Sequence, residues 1–224
     1  MKRFAPSLVF VLLLAGCAAG QETDLTLSFS ETGNTRAPEL LEAAERVATR
    51  RLESLGGPAR GARALQEGSG AVLRLTVRDP ALRETLVREL TSPFSFRLMM
   101  QAPREQATLW NDQFGGFAET GITEKDIAWA DAGMQDETGF VVISLTEEGL
   151  PKLKQVFREN MDKQIGVFVR DRLMSRKLVT EDDAENSVIQ IDGIPSPTIA
   201  SIFADDVVVG THVTFRPLPV EEQP

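Results

Sequence analysis

Residues 71–90 read AVLRLTVRDPALRETLVREL, an alternation that breaks at one dipeptide and resumes with a longer period. Leu73, Leu75 and Val77 share one face of an extended chain, with Arg74, Thr76 and Arg78 on the other, the period of two of a half-buried strand. Asp79-Pro80 then supplies a helix cap and a first helical residue whose missing N–H costs nothing. Leu82, Leu86 and Leu90 recur at helical spacing, and Ser92-Pro93 stops the helix. Upstream, DLTLSFS (24–30) alternates Leu25, Leu27 and Phe29 with polar residues. A helix follows, with Pro38 near its start, Leu41, Ala44, Ala48, Leu52 and Leu55 along one side, and Gly56-Gly57 at its end. A short strand over 62–67, a turn at Gly68-Ser69-Gly70 and a fourth strand carrying Phe94, Phe96, Leu98 and Met100 complete the order β-α-β-β-α-β. Strands that bury one face under two amphipathic helices predict a ferredoxin-like α+β base domain over residues 24–101.

Residues 102–121 are a glycine-rich linker with three large rings, Trp110, Phe114 and Phe117. Two readings stay open: a contact surface for an apolar partner, or packing between the two halves of the molecule. A second α+β domain is expected over 122–216. FVVISL (140–145) is a buried strand, Thr146, Glu147 and Glu148 start a helix, and Leu150, Leu153, Phe157 and Met161 line its side. Pro151 argues for a helix that begins one turn after that cap. Two strands follow around a turn at Asp171-Arg172, then an acidic loop (TEDDAEN, 180–186) and a strand turning at Asp192-Gly193. A last strand carries Val207, Val209, Thr211, Val213 and Phe215, and residues 217–224 form a loose tail.

The run GFVVISLTEEGLPKLKQVFRENMDKQIGVFVRDRLMS (139–175) is similar to the head subdomain of the first periplasmic domain of SecD, the Sec-translocase accessory protein. There a buried strand leads into a T-x-E-G helix start, a helix with a late Phe, a short break and a strand turning at L-D-G-K. That turn corresponds either to Arg170-Asp171-Arg172-Leu173, which follows the helix at the family's distance, or to Ile191-Asp192-Gly193-Ile194, which keeps Asp-Gly; the first is preferred. AAERVATRRLESLGG (43–57), AVLRLTV (71–77), the Asp79-Pro80 helix start and FSFRLM (94–99) resemble the base subdomain of the same family. The resemblance covers roughly residues 24 to 215. It implies a periplasmic module that contacts exported polypeptide or the translocase. The transmembrane helices through which SecD couples proton flow to export have no counterpart here, so proton-coupled movement is not expected.

The amino terminus indicates how such a module is held. Lys2 and Arg3 precede an apolar run over Leu8–Leu14, too short for the ~20 residues that span a bilayer. Leu14-Ala15-Gly16-Cys17 resembles the lipobox of bacterial lipoproteins, which makes residues 1–16 a signal peptide and Cys17, the sole cysteine, the lipidation site. Residues 17–23 form a tether, its Ala18–Thr23 part at most about 20 Å long. By the sorting pattern of some bacterial lipoproteins, Ala18 favours the outer membrane over the inner one. Cleavage removes Lys2 and Arg3, leaving 208 residues with 22 basic against 33 acidic side chains, a formal charge of −11. That balance opposes nucleic acid and anionic lipid as partners, so membrane attachment rests on the lipid.

Chemistry is sparse. His212 is expected half-exposed on the last strand, in a structural role, and with no second histidine or other thiol a metal site is not expected. Glu147-Glu148, Asp182-Asp183 and Asp205-Asp206 are neighbours in sequence and do not converge on one point. With no nucleophile, base and orienter set, the expectation is a binding module without cofactor and not an enzyme. The alternative is a structural or interaction lipoprotein of the envelope that reuses this fold for a role unrelated to export.

Overall fold

Strand β1 (Glu22–Phe29) pairs antiparallel with β3 (Gly70–Thr76) on one side and β12 (Val213–Pro217) on the other; β3 also pairs with β2 (Ala62–Glu67), giving the sheet order β12-β1-β3-β2. The computed structural model describes residues 22–30, 34–67, 70–186 and 188–218. Cys17 with residues 1–16, Gly68-Ser69 of the expected turn and the tail from 219 lie outside the described residues. The alternation of the opening stretch holds: Leu73 and Leu75 are fully buried with Leu25 under α1 (Ala37–Ser54) and α2 (Pro80–Thr91). From α1 come Leu40, Ala44, Val47, Ala48 and Leu52, and from α2 come Leu86 and Leu90. Asp79 caps α2 as its position predicts, accepting from the N–H of Ala81 at 2.9 Å and of Leu82 at 3.3 Å.

The fold is α+β, and its base sheet has the ferredoxin-like order, but the fourth strand is a different segment from the one expected. β12 fills that place. β4 (Phe96–Ala102) lies in a five-stranded sheet of order β10-β9-β4-β6-β5, with β5 (Leu109–Asn111), β6 (Gly115–Thr123), β9 (Gln164–Val169) and β10 (Arg172–Leu178). The reason is that β4 is apolar on both faces. Phe96, Leu98 and Met100 enter the main core while Met99, also fully buried, joins a second cluster with Phe117 and Phe168. A strand covered on both faces belongs in a sheet interior. The base is therefore not confined to 24–101: it closes with residues 213–217, and the segment expected as a linker over 102–121 supplies β5 and β6.

A third sheet, β11-β8-β7, is built from β7 (Ile127–Gln135), β8 (Thr138–Leu145) and β11 (Ile189–Ile194). Helix α3 (Gly149–Glu159) follows β8. Its first residue, Gly149, lies three past Thr146, so the helix starts later than the cap position alone indicates, as expected from Pro151, while the Gly149 N–H still donates to Thr146 Oγ1 at 3.1 Å. Pro151 sits in the first turn, where no intrahelical bond is lost. The β9–β10 turn is centred on Arg170 and Asp171, both with positive φ, one residue before the expected pair. The acidic stretch expected as a loop forms a short helix, α4 (Glu181–Asn186), because Asp183 accepts from the Thr180 N–H and hydroxyl, each at 2.9 Å, and pairs with Lys177.

The larger correction is α5 (Pro197–His212), a helix where a valine-rich strand was expected. Ser196 caps it by accepting from the Ile199 N–H at 3.2 Å, and Pro197 is its first residue. Ala200, Ala204, Val207, Val208 and Val209 are buried on more than one side of the helix, since α5 packs on β7, β8 and α1 together. A helix solvated only near its start, here at Thr198, Ile199 and Ser201, shows little helical periodicity, and its β-branched residues imitate a strand. Gly139 of β8 permits the crossing: a Cβ there would lie 2.6 Å from the Ser196 carbonyl oxygen. One continuous core runs from the base sheet through α5 into both inserted sheets.

Candidate functional site

Residues that bear chemistry are mostly engaged in structure. His212 is buried at the end of α5 instead of half-exposed on a strand. Its Nε2 bonds the Ala128 carbonyl at 2.9 Å, its Nδ1 lies 2.7 Å from the Ser30 hydroxyl, and its ring stacks on Trp129 at 5.5 Å, with Arg36 over the far ring at 3.6 Å. Burial holds its pKa below the ordinary value and the Arg36 cation lowers it further, against the opposing pull of the Ala128 carbonyl. The imidazole is neutral, donates from Nε2, and has no ring nitrogen left for a metal or a substrate. Asp205 is buried and accepts from Arg46 at 2.7 and 3.0 Å and from Arg50 at 2.9 Å, tying α5 to α1. Asp126 is buried as well. Burial alone would raise its pKa, but Lys152 at 2.6 Å and the Thr123 N–H at 2.9 Å outweigh that and hold it below the usual range. Among the described residues no group of three or more His, Cys, Asp or Glu side chains is placed to hold a metal. No helix among them is long and apolar enough to cross a membrane.

The three rings of the expected contact surface separate. Phe117 is fully buried, edge-on to Phe168 at 5.0 Å, and leaves the contact set because Leu109, Phe114 and Leu173 cover it. Phe114 is half-buried with the Arg176 guanidinium 3.7 Å above its ring. Trp110 alone is exposed, at 52%, on the short outermost strand β5 with Arg104 at 5.1 Å.

The more coherent surface is one the sequence did not single out. β10 and β11 are each the last strand of their sheet, and among the described residues neither pairs with a further strand. They face a common, partly apolar cleft of about 260 Å³, lined by Met174 and Ser175 from β10, Ile191, Asp192 and Ile194 from β11, and Ile199 and Phe203 from α5. Met174 lies on the outward side of β10 with Arg172, Arg176 and Leu178, next to an irregularity in the β9–β10 pairing, and is 50% exposed, while Ile199 is 47% and Leu178 48% exposed. Three of the five large apolar side chains exposed among the described residues thus gather at this one strand edge and its cleft. On the other side of β10 lies a wider recess of about 660 Å³, with Phe114, Asn111 and Gln113 opposite Arg172 and Arg176. An edge strand flanked by recesses offers main-chain hydrogen bonds along its free side and places for alternate side chains of an added strand.

No protein-family model matches the chain, and no curated protein matches it. Among solved structures it is similar to SecDF. One is a structure of the membrane component SecDF that enhances protein export, at 15% identity and a TM-score of 0.47, with 89% of this chain and 99% of that one covered. A second is SecDF in its super-membrane-facing form, at 16% identity and TM-score 0.47, covering 88% of this chain and 29% of that one. A third, the translocon-associated SecDF of Thermus thermophilus, gives 16% identity and TM-score 0.47, covering 89% and 30%. Against the latter two the chain spans under a third of their length.

Proposed function

We propose that this protein is a binding module of the bacterial envelope, held at a membrane by a lipid on Cys17, that takes extended segments of exported polypeptide along β10. One observation carries the reading: an unpaired strand edge lies beside an apolar cleft whose exposed walls are Met174 and Ile199. A folded partner surface presents few free backbone donors and acceptors, whereas an unfolded chain presents all of them, so a bare β edge selects for extended polypeptide. The resemblance of residues 139–175 to the SecD head supports export as the setting. Catalysis has no part in this reading.

The test uses the full chain as a Cys17→Ser variant and a permanently unfolded, carboxymethylated polypeptide, with binding followed by fluorescence anisotropy. Met174→Asp with Ile199→Asp weakens binding at least tenfold and leaves the melting temperature within a few degrees, because both side chains are half-exposed. Unchanged affinity in that variant removes the proposal. The anchor is tested separately. In cells the parent takes up fatty-acid label and sediments with membranes, and Cys17→Ser does neither; a variant that still fractionates with membranes removes the lipid.

A further inference from the structure

A second cleft, of about 140 Å³, lies where the base meets the inserted sheets. Its walls are Leu90 of α2, Phe94 in the α2–β4 connection, and Val213 and Phe215 of β12, and two arginines enter it, Arg51 from α1 and Arg170 from the β9–β10 turn. Phe94 is pressed onto Gly210, where a Cβ would come within 2.3 Å of its ring, so that wall is fixed. Arg170 is held as well, its N–H donating to the Ser95 carbonyl at 2.9 Å.

The charges that line this cleft are of one sign. Among the described residues neither Arg51 nor Arg170 makes an ion pair; Arg51 spends one Nη1 hydrogen on the Glu89 carbonyl at 3.0 Å. The charged groups facing Arg51 are Arg170 and Arg50, and Asp206 and Glu89. Arg50 is already matched by Asp205. Burial lowers the Arg51 pKa and the nearby Arg170 cation lowers it further, with Asp206 and Glu89 opposing. Asp206 is itself pushed up by burial, with Arg51, Arg50 and Arg170 opposing. Two cations thus line a partly apolar cleft that no carboxylate lines, with Asp206 and Glu89 near Arg51 but outside its walls.

We propose that this cleft binds a carboxylate attached to a small apolar group, its oxygens bridging Arg51 and Arg170 and its apolar part lying against Phe94, Val213 and Phe215. Planar guanidinium groups match carboxylate oxygens bidentately, and apolar walls with a few convergent polar groups are the usual composition of a small-ligand site. The size agrees, since a cavity of about 150 Å³ holds a molecule the size of benzene. Two sources carry this chemistry, a free organic acid and the C-terminal residue of a polypeptide. Either ligand would touch α1 and β12 of the base and the β9–β10 turn at once.

The experiment titrates the full-length Cys17→Ser chain, by calorimetry, with phenylacetate, with a decapeptide ending in Phe, and with the same peptide amidated at its C-terminus. Binding of phenylacetate alone identifies a free acid as the source; binding of the free-acid peptide, at least tenfold tighter than its amide, identifies a chain terminus. Arg170→Gly reduces either by tenfold or more, and it folds, since Arg170 has a φ of 49° that glycine adopts freely. Arg51→Lys, which keeps the charge and loses the fork, weakens binding as well. No binding of either carboxylate, or binding that Arg170→Gly leaves unchanged, overturns the proposal.

Discussion

The base sheet and the inserted five-stranded sheet are both antiparallel, yet they are finished differently. In the base, the last strand docks beside the first, helices cover one face, and charged side chains of the other face pair across strands, as Arg74 does with Asp24 at 2.7 Å. In the inserted sheet, β10 is an edge strand as β2 is in the base, but it carries an irregularity in its pairing with β9 and exposes Met174 beside a cleft. Both regions share one apolar core, so the difference is not one of stability. Open edges occur in both sheets, β12 and β2 in the base and β10 and β5 in the inserted one, so a free edge marks a place of accommodation only where exposed apolar groups lie beside it, as at β10.

The comparison is most exposed to failure in the second apolar cluster, on the outer face of the inserted sheet. Phe117→Ala is expected to cost about 3–4 kcal/mol in denaturant unfolding, as for a fully buried ring that leaves a cavity. A loss under about 1 kcal/mol would mean that this face is loosely packed and that the two regions differ in order and not only in pairing. Next comes the joint between them. Asp205→Ala leaves Arg46 and Arg50 facing each other without their carboxylate, and about 2–3 kcal/mol of stability is expected to go. The figure sits below the range for a fully buried pair because the Arg46 side chain is half-exposed.

A smaller effect is read by pH. His212 is neutral when folded, with its pKa below the unfolded value of about 6.5. The unfolded chain therefore binds a proton that the folded chain refuses, and stability falls as pH drops through about 6.5, levelling off only below the folded pKa. Unfolding measured from pH 7.5 to 5.5 shows this slope in the parent and a flatter one in His212→Gln. The smallest change is expected at Trp110→Ala, within about 0.5 kcal/mol, since the ring is half in solvent. A larger loss there would extend the scaffold into β5.

Local rules made the first half legible. The alternation at 71–77, the Asp79 cap and the helix from 37 are each decided within a few residues, and so are the Thr146 cap and the hairpin after β9. What could not be read is pairing. Phe96–Ala102 and Val213–Pro217 both alternate acceptably, and which of them lies beside β1 depends on residues more than a hundred positions away. Met99 held the hint, since a third apolar residue between Leu98 and Met100 implies a covered second face. α5 was hidden for the opposite reason: packed on several sides, it lacks a polar stripe. The site follows from the same blindness, because a strand is known to be unpartnered only once every pairing is drawn. Its one trace in sequence is Arg172, Met174, Arg176 and Leu178, an outward-facing row of cations and apolar groups with no small polar residue among them.

The docking of β12 against β1 also sets a clock. A polypeptide made amino end first presents Glu22–Phe29 early and Val213–Pro217 nearly two hundred residues later, so the base must wait for the last of its strands to arrive. Until then β1 is flanked on one side only, and its vacant side is as adhesive as any unpaired strand. Completion of the base is thus timed by the arrival of its own final segment, and a chain stopped before residue 213 would itself resemble the unfolded clients it is proposed to hold.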